Sequence, residues 1–503
     1  MKSLFKPTSY QQGTALAVAA TLVWKAVSFA NALLLALYFG ATRQTDVYFY
    51  LIMLTGFGVA FLQRLNQTVL IPEAMFLAEK TPPKARSFLN MWLYLYAGLG
   101  IFLCIAAWGW AEDIWKLLTR FNEHILTQDK WMLTCGFLLF ALQILTYYLL
   151  AVAEMFKFFK TAWLGVLNAI CPLVCLLVFG NHIGIISMVY GFLTANILQM
   201  VILIFLFKTQ LHWDFTPTWV SLRTQTRQNM LTGQTLAVLD MMNSLLPAYL
   251  ISGMGAGLIS ALNYCKQFTD SATEVFTSRA ANIAKIEMTE QCARQQSAQM
   301  NETFLRTTFI LLAILAPLVV FSCYFAPFLV ELFFKRGHFG QQAVLDTTAF
   351  LRPMLLILLL SVPGYLQNST LAASRKIKEG FPYALTSGLI LTALLLFAIP
   401  HYGAFSYPYV LGIGLLIGFV LNAFLFRKEL PFLQYVRPFV LCLRLSTWAA
   451  LALLPATLLG SLLPPNCWTQ LLGCGIVYVV FYGLVLYVSK DGPQLLQFLR
   501  NGF

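Results

Sequence analysis

The chain has 503 residues, of which 59% are hydrophobic and only 11% charged, and its mean hydropathy is +0.73. Soluble domains carry about 25% charged residues, so composition excludes a soluble globular protein and indicates an all-α polytopic membrane protein. The formal charge of +13 suits cytoplasmic loops that hold the orientation of the chain and face anionic lipid; it is no sign of nucleic-acid binding.

Apolar runs of spanning length occur at about 14–40, 46–76, 87–110, 131–156, 161–180, 184–207 and 232–252. They continue at about 257–283, 304–334, 343–372, 380–400, 403–426, 439–463 and 466–489. About fourteen transmembrane helices are therefore expected, each of roughly 20 residues or more. The first run is too long for the apolar core of a cleavable signal peptide. Lys and Arg alternate between loops with a bias of roughly three to one, which places both termini in the cytoplasm. The external stretch Glu112–Lys130 is expected to hold a short amphipathic helix around Ile114-Trp-Lys-Leu-Leu. The polar stretch from Lys208 to Met230, with Pro217, is the natural divide between two six-helix lobes. The expected layout is an N-terminal lobe at 1–207, a cytoplasmic linker at 208–231, a second lobe at 232–428, and two extra helices with a tail at 429–503.

Polar residues inside the spans gather in few of them. The first carries Lys25, Ser28 and Asn31; the second carries Asp46, Gln63, Arg64, Asn66 and Gln67. The seventh carries Gln234, Asp240, Asn243 and Ser244, and the tenth Arg352, Gln367 and Asn368. The eighth is the most polar: Lys266, Asp270 and Glu274 repeat every four residues along one helix face, with Asn263 and Gln267 beside them. A charge at bilayer depth costs at least about 2.5–3.5 kcal/mol, so such faces must look into protein or water. Together they are expected to line one central cavity. Its cations suit an anionic, phosphorylated head group. Its carboxylates Asp46, Asp240, Asp270 and Glu274 are candidates for coupling to Na⁺ or H⁺. A plain internal Lys266–Asp270 ion pair is the simpler alternative.

Enzyme signatures are missing: there is no GxSxG, HExxH or GxxxxGK[ST]. The five His sit in loops or at helix ends without ligand spacing, and the ten Cys form no CxxC pair. The cysteines read as small core hydrophobes, and neither a metal nor a cofactor is expected.

The stretch Tyr38-Phe-Gly-Ala-Thr-Arg-Gln-Thr-Asp46-Val-Tyr-Phe resembles the FGA-x-x-x-T-D-A-F stretch of the MurJ/MviN lipid II flippases, within the multidrug/oligosaccharidyl-lipid/polysaccharide exporter superfamily. Val69-Leu-Ile-Pro72 is similar to that family's ending of the second helix, and Gly257-Leu-Ile-Ser-Ala-Leu-Asn-Tyr264 to its S-x-x-x-Y-A-x-R stretch. Leu332-Phe-Phe-Lys-Arg-Gly-His-Phe339 followed by Asp346-Thr-Thr-Ala resembles L-F-x-R-G-x-F…D-T, the most specific of these. The resemblance implies two six-helix lobes, two extra C-terminal helices and a central cavity with alternating access. It implies export of a polyprenyl-diphosphate-linked saccharide across a bacterial inner membrane, among envelope-biosynthesis enzymes as partners. It departs in its charges. The family's first-helix arginines fall on Lys25 and Asn31, its Asp-Arg pair on Lys266-Gln267, and its later Glu on Asp270. The Pro-Asn-Leu-Leu-Arg-Arg segment is replaced by Leu54-Thr-Gly-Phe-Gly-Val, with Arg64 the nearest cation.

The expected diphosphate-binding set is thus Lys25, Asn31, Arg64, Lys266, Gln267 and Arg352. Alternatives are an exopolysaccharide or O-antigen flippase, an exporter of small cationic or aromatic compounds, and a transport-inactive scaffold.

Overall fold

The computed structural model describes residues 10–220, 224–374, 376–462 and 467–489. Every element among them is helical. Among the described residues, thirteen helices are long and apolar enough to cross a membrane. The remaining expected span, 257–283, is helical too, but its charges keep it below that hydropathy. It forms one continuous run of α10 (Leu258–Ala272), a π-helical turn (Thr273–Ser278) and α11 (Arg279–Ala293).

The first compact unit comprises residues 1–260 and 337–339. It holds α1 (Tyr10–Phe39), α2 (Arg43–Leu65), α3 (Ile71–Lys80), α4 (Pro82–Leu118), α5 (Glu123–Gln128), α6 (Lys130–Met155), α7 (Leu167–Ile183), α8 (Ile186–Gln210) and α9 (Thr224–Ser252). It therefore keeps α9, which the sequence places after the linker. A π-helical turn, Asn66–Leu70, joins α2 to α3 directly ahead of Pro72. Proline has no N–H, and its ring crowds the carbonyl four residues back; a widened turn relieves that clash. The helix expected around Ile114 is the end of α4 beyond a kink at Trp110. It is packed rather than interfacial: Trp115 is buried against Tyr50 and Phe137, and the Tyr50 hydroxyl donates to the Leu118 carbonyl.

The start of the linker is not a loose tether. Asn90 of α4 donates to the carbonyls of Asp214 (2.7 Å) and Thr216 (3.0 Å) and accepts from Trp213 Nε1 (2.7 Å). The Thr218 hydroxyl donates to the Ser87 carbonyl at 3.0 Å. Trp213 itself joins the apolar core of α4, α6 and α8, beside Phe88, Tyr148 and Phe207. Extended backbone with no helical partners of its own is thus satisfied by side chains of α4.

The second unit, residues 261–336 and 340–503, is organised on α12 (Ser297–Tyr324). Around it lie α13 (Ala326–Phe334), α14 (Gln341–Ala373), α15 (Ile377–Tyr402), α16 (Ser406–Glu429), α17 (Arg437–Leu462) and α18 (Cys467–Val488). Pro317 inside α12 leaves the Ala313 carbonyl without its helical donor. The Tyr482 hydroxyl of α18 donates to that carbonyl at 3.0 Å. A charged clasp joins α11 to α12: Arg306 holds both oxygens of Glu287 at 3.1 Å, and the Thr303 hydroxyl donates to the same carboxylate at 2.9 Å.

Candidate functional site: polar side chains within the spans

Asp46 does not face an open cavity. It is fully buried and both of its oxygens accept from the start of α10. Oδ2 takes the Gly257 N–H at 2.6 Å; Oδ1 takes the Ser260 N–H at 2.8 Å and lies 2.7 Å from the Ser260 hydroxyl. Here a carboxylate from α2 does the work of an N-cap for another helix, meeting its orphan donors and its positive dipole end. The expectation that Asp46 sits on a wet wall is corrected by this geometry.

Next to it, two of the motif stretches interlock. The His338 N–H donates to the Leu37 carbonyl at 3.1 Å. Gly40 and Gly337 both have positive φ (63° and 58°). A Cβ on Gly40 would overlap the His338 carbonyl, and one on Gly337 would overlap the Leu37 carbonyl. Glycine is required at both for two reasons, conformation and clearance. The FGA and R-G-x-F patterns are therefore packing motifs here.

Asn31 is likewise structural. It is 7% exposed, and its Nδ2 donates to the Ala169 carbonyl of α7 at 2.8 Å. Lys25 is half-buried, its Nζ 5.1 Å from the ring centre of Trp24. Arg64 and Asp240, expected in separate roles, are partners: Arg64 Nη1 lies 2.9 Å from Asp240 Oδ2, bridging α2 and α9. Both side chains are largely open to solvent, so the pair contributes little to stability.

In the second unit Lys266 is half-buried, with Nζ 5.8 Å from the ring centre of the buried Tyr407 of α16; Gln267 is half-buried beside it. Asp270 and Glu274 share a cavity of about 320 Å³ with Thr273, Ser278, Asn282 and Tyr365. On a regular α-helix each four-residue step drifts by about 40°, so residues 270 to 282 would turn away from a common face. The π-helical turn at Thr273–Ser278 widens the coil within that stretch and takes up part of the drift. Arg352 does not join this wall. Met354 faces α10 through Cys265, at 3.6 Å between sulfurs. Two positions earlier on the same helix, Arg352 points roughly 200° away and is exposed. Gln367 is buried, and its Oε1 accepts from Asn422 at 3.2 Å. Among the described residues no group of three or more His, Cys, Asp or Glu could hold a metal ion.

The profile of the family described as "Lipid II flippase MurJ" matches residues 35–472. The chain belongs to the MurJ family. Among solved structures it is similar to "Lipid II flippase MurJ, inward closed conformation", with a TM-score of 0.78 and 18% identity over 95% of this chain and 100% of that one. It is also similar to an inward-facing multidrug resistance MATE family transporter of the MOP superfamily. There the TM-score is 0.61, with 13% identity over 82% of this chain and 96% of the other. At these identities the likeness shows a shared MurJ-type fold. No curated relative matches the chain.

One residue escaped the sequence reading. Glu154 closes α6 and lines a second cavity. The available signal is a carboxylate at the end of a run otherwise apolar, just before Lys157 and Lys160.

Proposed function

We propose that this member of the MurJ family moves a polyprenyl-diphosphate-linked saccharide, lipid II or a related envelope precursor, from the inner to the outer leaflet by alternating access. The observation that carries this reading is the family match over residues 35–472; the polar face of α10 is its physical counterpart. Lys266 is assigned as a diphosphate contact of the second unit and Lys25 as one of the first, because each offers a cation within a membrane span. Gln267 adds a neutral donor beside Lys266. Arg64 is available to the cargo only when it leaves Asp240, so that pair acts as an exchangeable contact. Ion coupling, to Na⁺ or H⁺, falls to Asp270 and Glu274, whose cavity admits water; Asp46 is assigned to the frame instead. The chain sits in the bacterial inner membrane with both termini in the cytoplasm.

The second reading, an exporter of small cations, draws on the acidic cavity at Asp270 and Glu274. The two are separated by binding of a labelled lipid-linked diphosphate sugar to the purified protein. Lys266→Ala is expected to bind at least about tenfold more weakly, the loss of one charge-assisted contact. Equal binding by wild type and Lys266→Ala removes the diphosphate assignment. Absence of lipid-linked sugar binding in wild type, together with binding of a small organic cation that is lost in Asp270→Asn, favours the cation exporter.

A further inference from the structure

The first unit contains a cavity that none of the roles above uses. It has a volume of about 320 Å³ and opens among α1, α2, α6 and the 3₁₀ turn Phe159–Val166 that precedes α7. Its polar lining is Thr21, Gln63, Gln67, Tyr147 and Glu154, and Trp24 forms an aromatic wall. The rest is small or apolar, and neither Lys nor Arg is among the lining residues.

We propose that this cavity binds a small organic cation, an ammonium group carrying an apolar or aromatic substituent. Glu154 is the only charged lining residue, and no Lys or Arg is paired with its carboxylate among the described residues. A monocation balances it. A phosphate or carboxylate ligand would meet the like charge of Glu154, and the nearby Lys25 ammonium lies over Trp24 rather than among the lining residues. The phenol of Tyr147 presents a negative ring face, which attracts ammonium groups, and the indole of Trp24 does so already for the Lys25 ammonium, 5.1 Å from its ring centre. Gln63 and Gln67, four apart on α2 and its continuation, supply amide oxygens from one side. A bare metal ion would need more ligating oxygens of full charge than one carboxylate, whereas the small and apolar lining suits a hydrocarbon substituent. The volume falls within the usual range for small-molecule pockets.

The wall is also held in place. The Tyr147 hydroxyl accepts from Asn168 Nδ2 at 3.5 Å, and Asn168 Oδ1 in turn accepts from Asn196 Nδ2 at 3.1 Å. This chain of polar groups links α6, α7 and α8 behind the ring of Tyr147. The small residues Ala17, Ala20, Ala151 and Gly165 keep the space open.

The proposal goes beyond the flippase reading and is tested apart from it. Equilibrium dialysis of the purified full-length protein against radiolabelled benzyltrimethylammonium is expected to show saturable binding, with benzenesulfonate giving none. Glu154→Gln keeps the shape and removes the charge, and is expected to weaken binding at least about tenfold. Trp24→Leu is expected to weaken it several-fold. Lys266→Ala, which lies in the other unit, is expected to bind the probe as wild type does, whatever it does to lipid-linked sugar. Should Glu154→Gln fail to fold, Ala151→Leu narrows the cavity without touching charge and is expected to abolish binding. No saturable binding by wild type, or the same isotherm in Glu154→Gln, Trp24→Leu and Ala151→Leu, overturns the assignment.

Discussion

Asp46 in the first unit and the Asp270–Glu274 pair in the second are carboxylates of the same kind on spans of the same kind, yet they are spent differently. Asp46 is fully enclosed and accepts from two backbone N–H groups and lies within reach of a hydroxyl. Asp270 and Glu274 look into a cavity. An intramembrane acid is thus a reason to look for a function, and its hydrogen bonds decide whether that function is architecture or exchange. A carboxylate with its acceptors filled by backbone has little left for a mobile ion. One on a cavity wall keeps that capacity.

The largest effect that would break this contrast belongs to Asp46→Ala. It leaves the buried N–H groups of Gly257 and Ser260 without an acceptor, a loss on the order of 3 kcal/mol. The expected result is a poor yield and a markedly lower melting temperature in detergent; wild-type melting would mean that the cap is dispensable. Gly337→Ala comes next. Forcing a side chain into positive φ costs roughly 1–2 kcal/mol before any steric overlap with the Leu37 carbonyl, and thermal unfolding should register it. A variant as stable as wild type would show that the interlock with Leu37 yields easily. Smallest in stability, though not in transport, is the double variant Asp270→Asn with Glu274→Gln. Its melting should stay within about 0.5 kcal/mol of wild type, while uptake or export driven by an ion gradient should fall. A large drop in melting would instead assign these carboxylates to the frame, alongside Asp46.

Much of the fold could be read from the chain because bilayer depth imposes long apolar runs, and these stand out at 131–156 or 184–207 without any knowledge of tertiary contacts. The charged stretch 257–283 reads as a helix with one polar face, but as a span it is among the least apolar, with 46–76 and 343–372. What could not be read was which polar groups are already satisfied. Asn31 finds its acceptor 138 residues away and Asp46 its donors more than 200 residues away, and no local pattern announces such pairings. Arg64 and Asp240 failed to separate for the same reason: their meeting depends on how α2 lies against α9. Arg352 shows a different limit. Its place on α14 was right, but helix phase turns it from α10. Trp213 sits in a stretch whose polar composition suggested a free linker, and only the side chain of Asn90 reveals that it is docked.

The small loop formed by residues 337–339 belongs to the first unit although more than seventy residues of the second precede it in the chain. Its His338 N–H closes on Leu37, at the end of the first helix. The early helices of a nascent chain can therefore enter the bilayer as they emerge, but their unit lacks this fastening until the ribosome has translated past Phe339. Synthesis that stops short of that codon leaves a carbonyl of the first helix waiting for a donor encoded three hundred residues downstream, and such truncated chains should be readily recognised by membrane quality-control proteases.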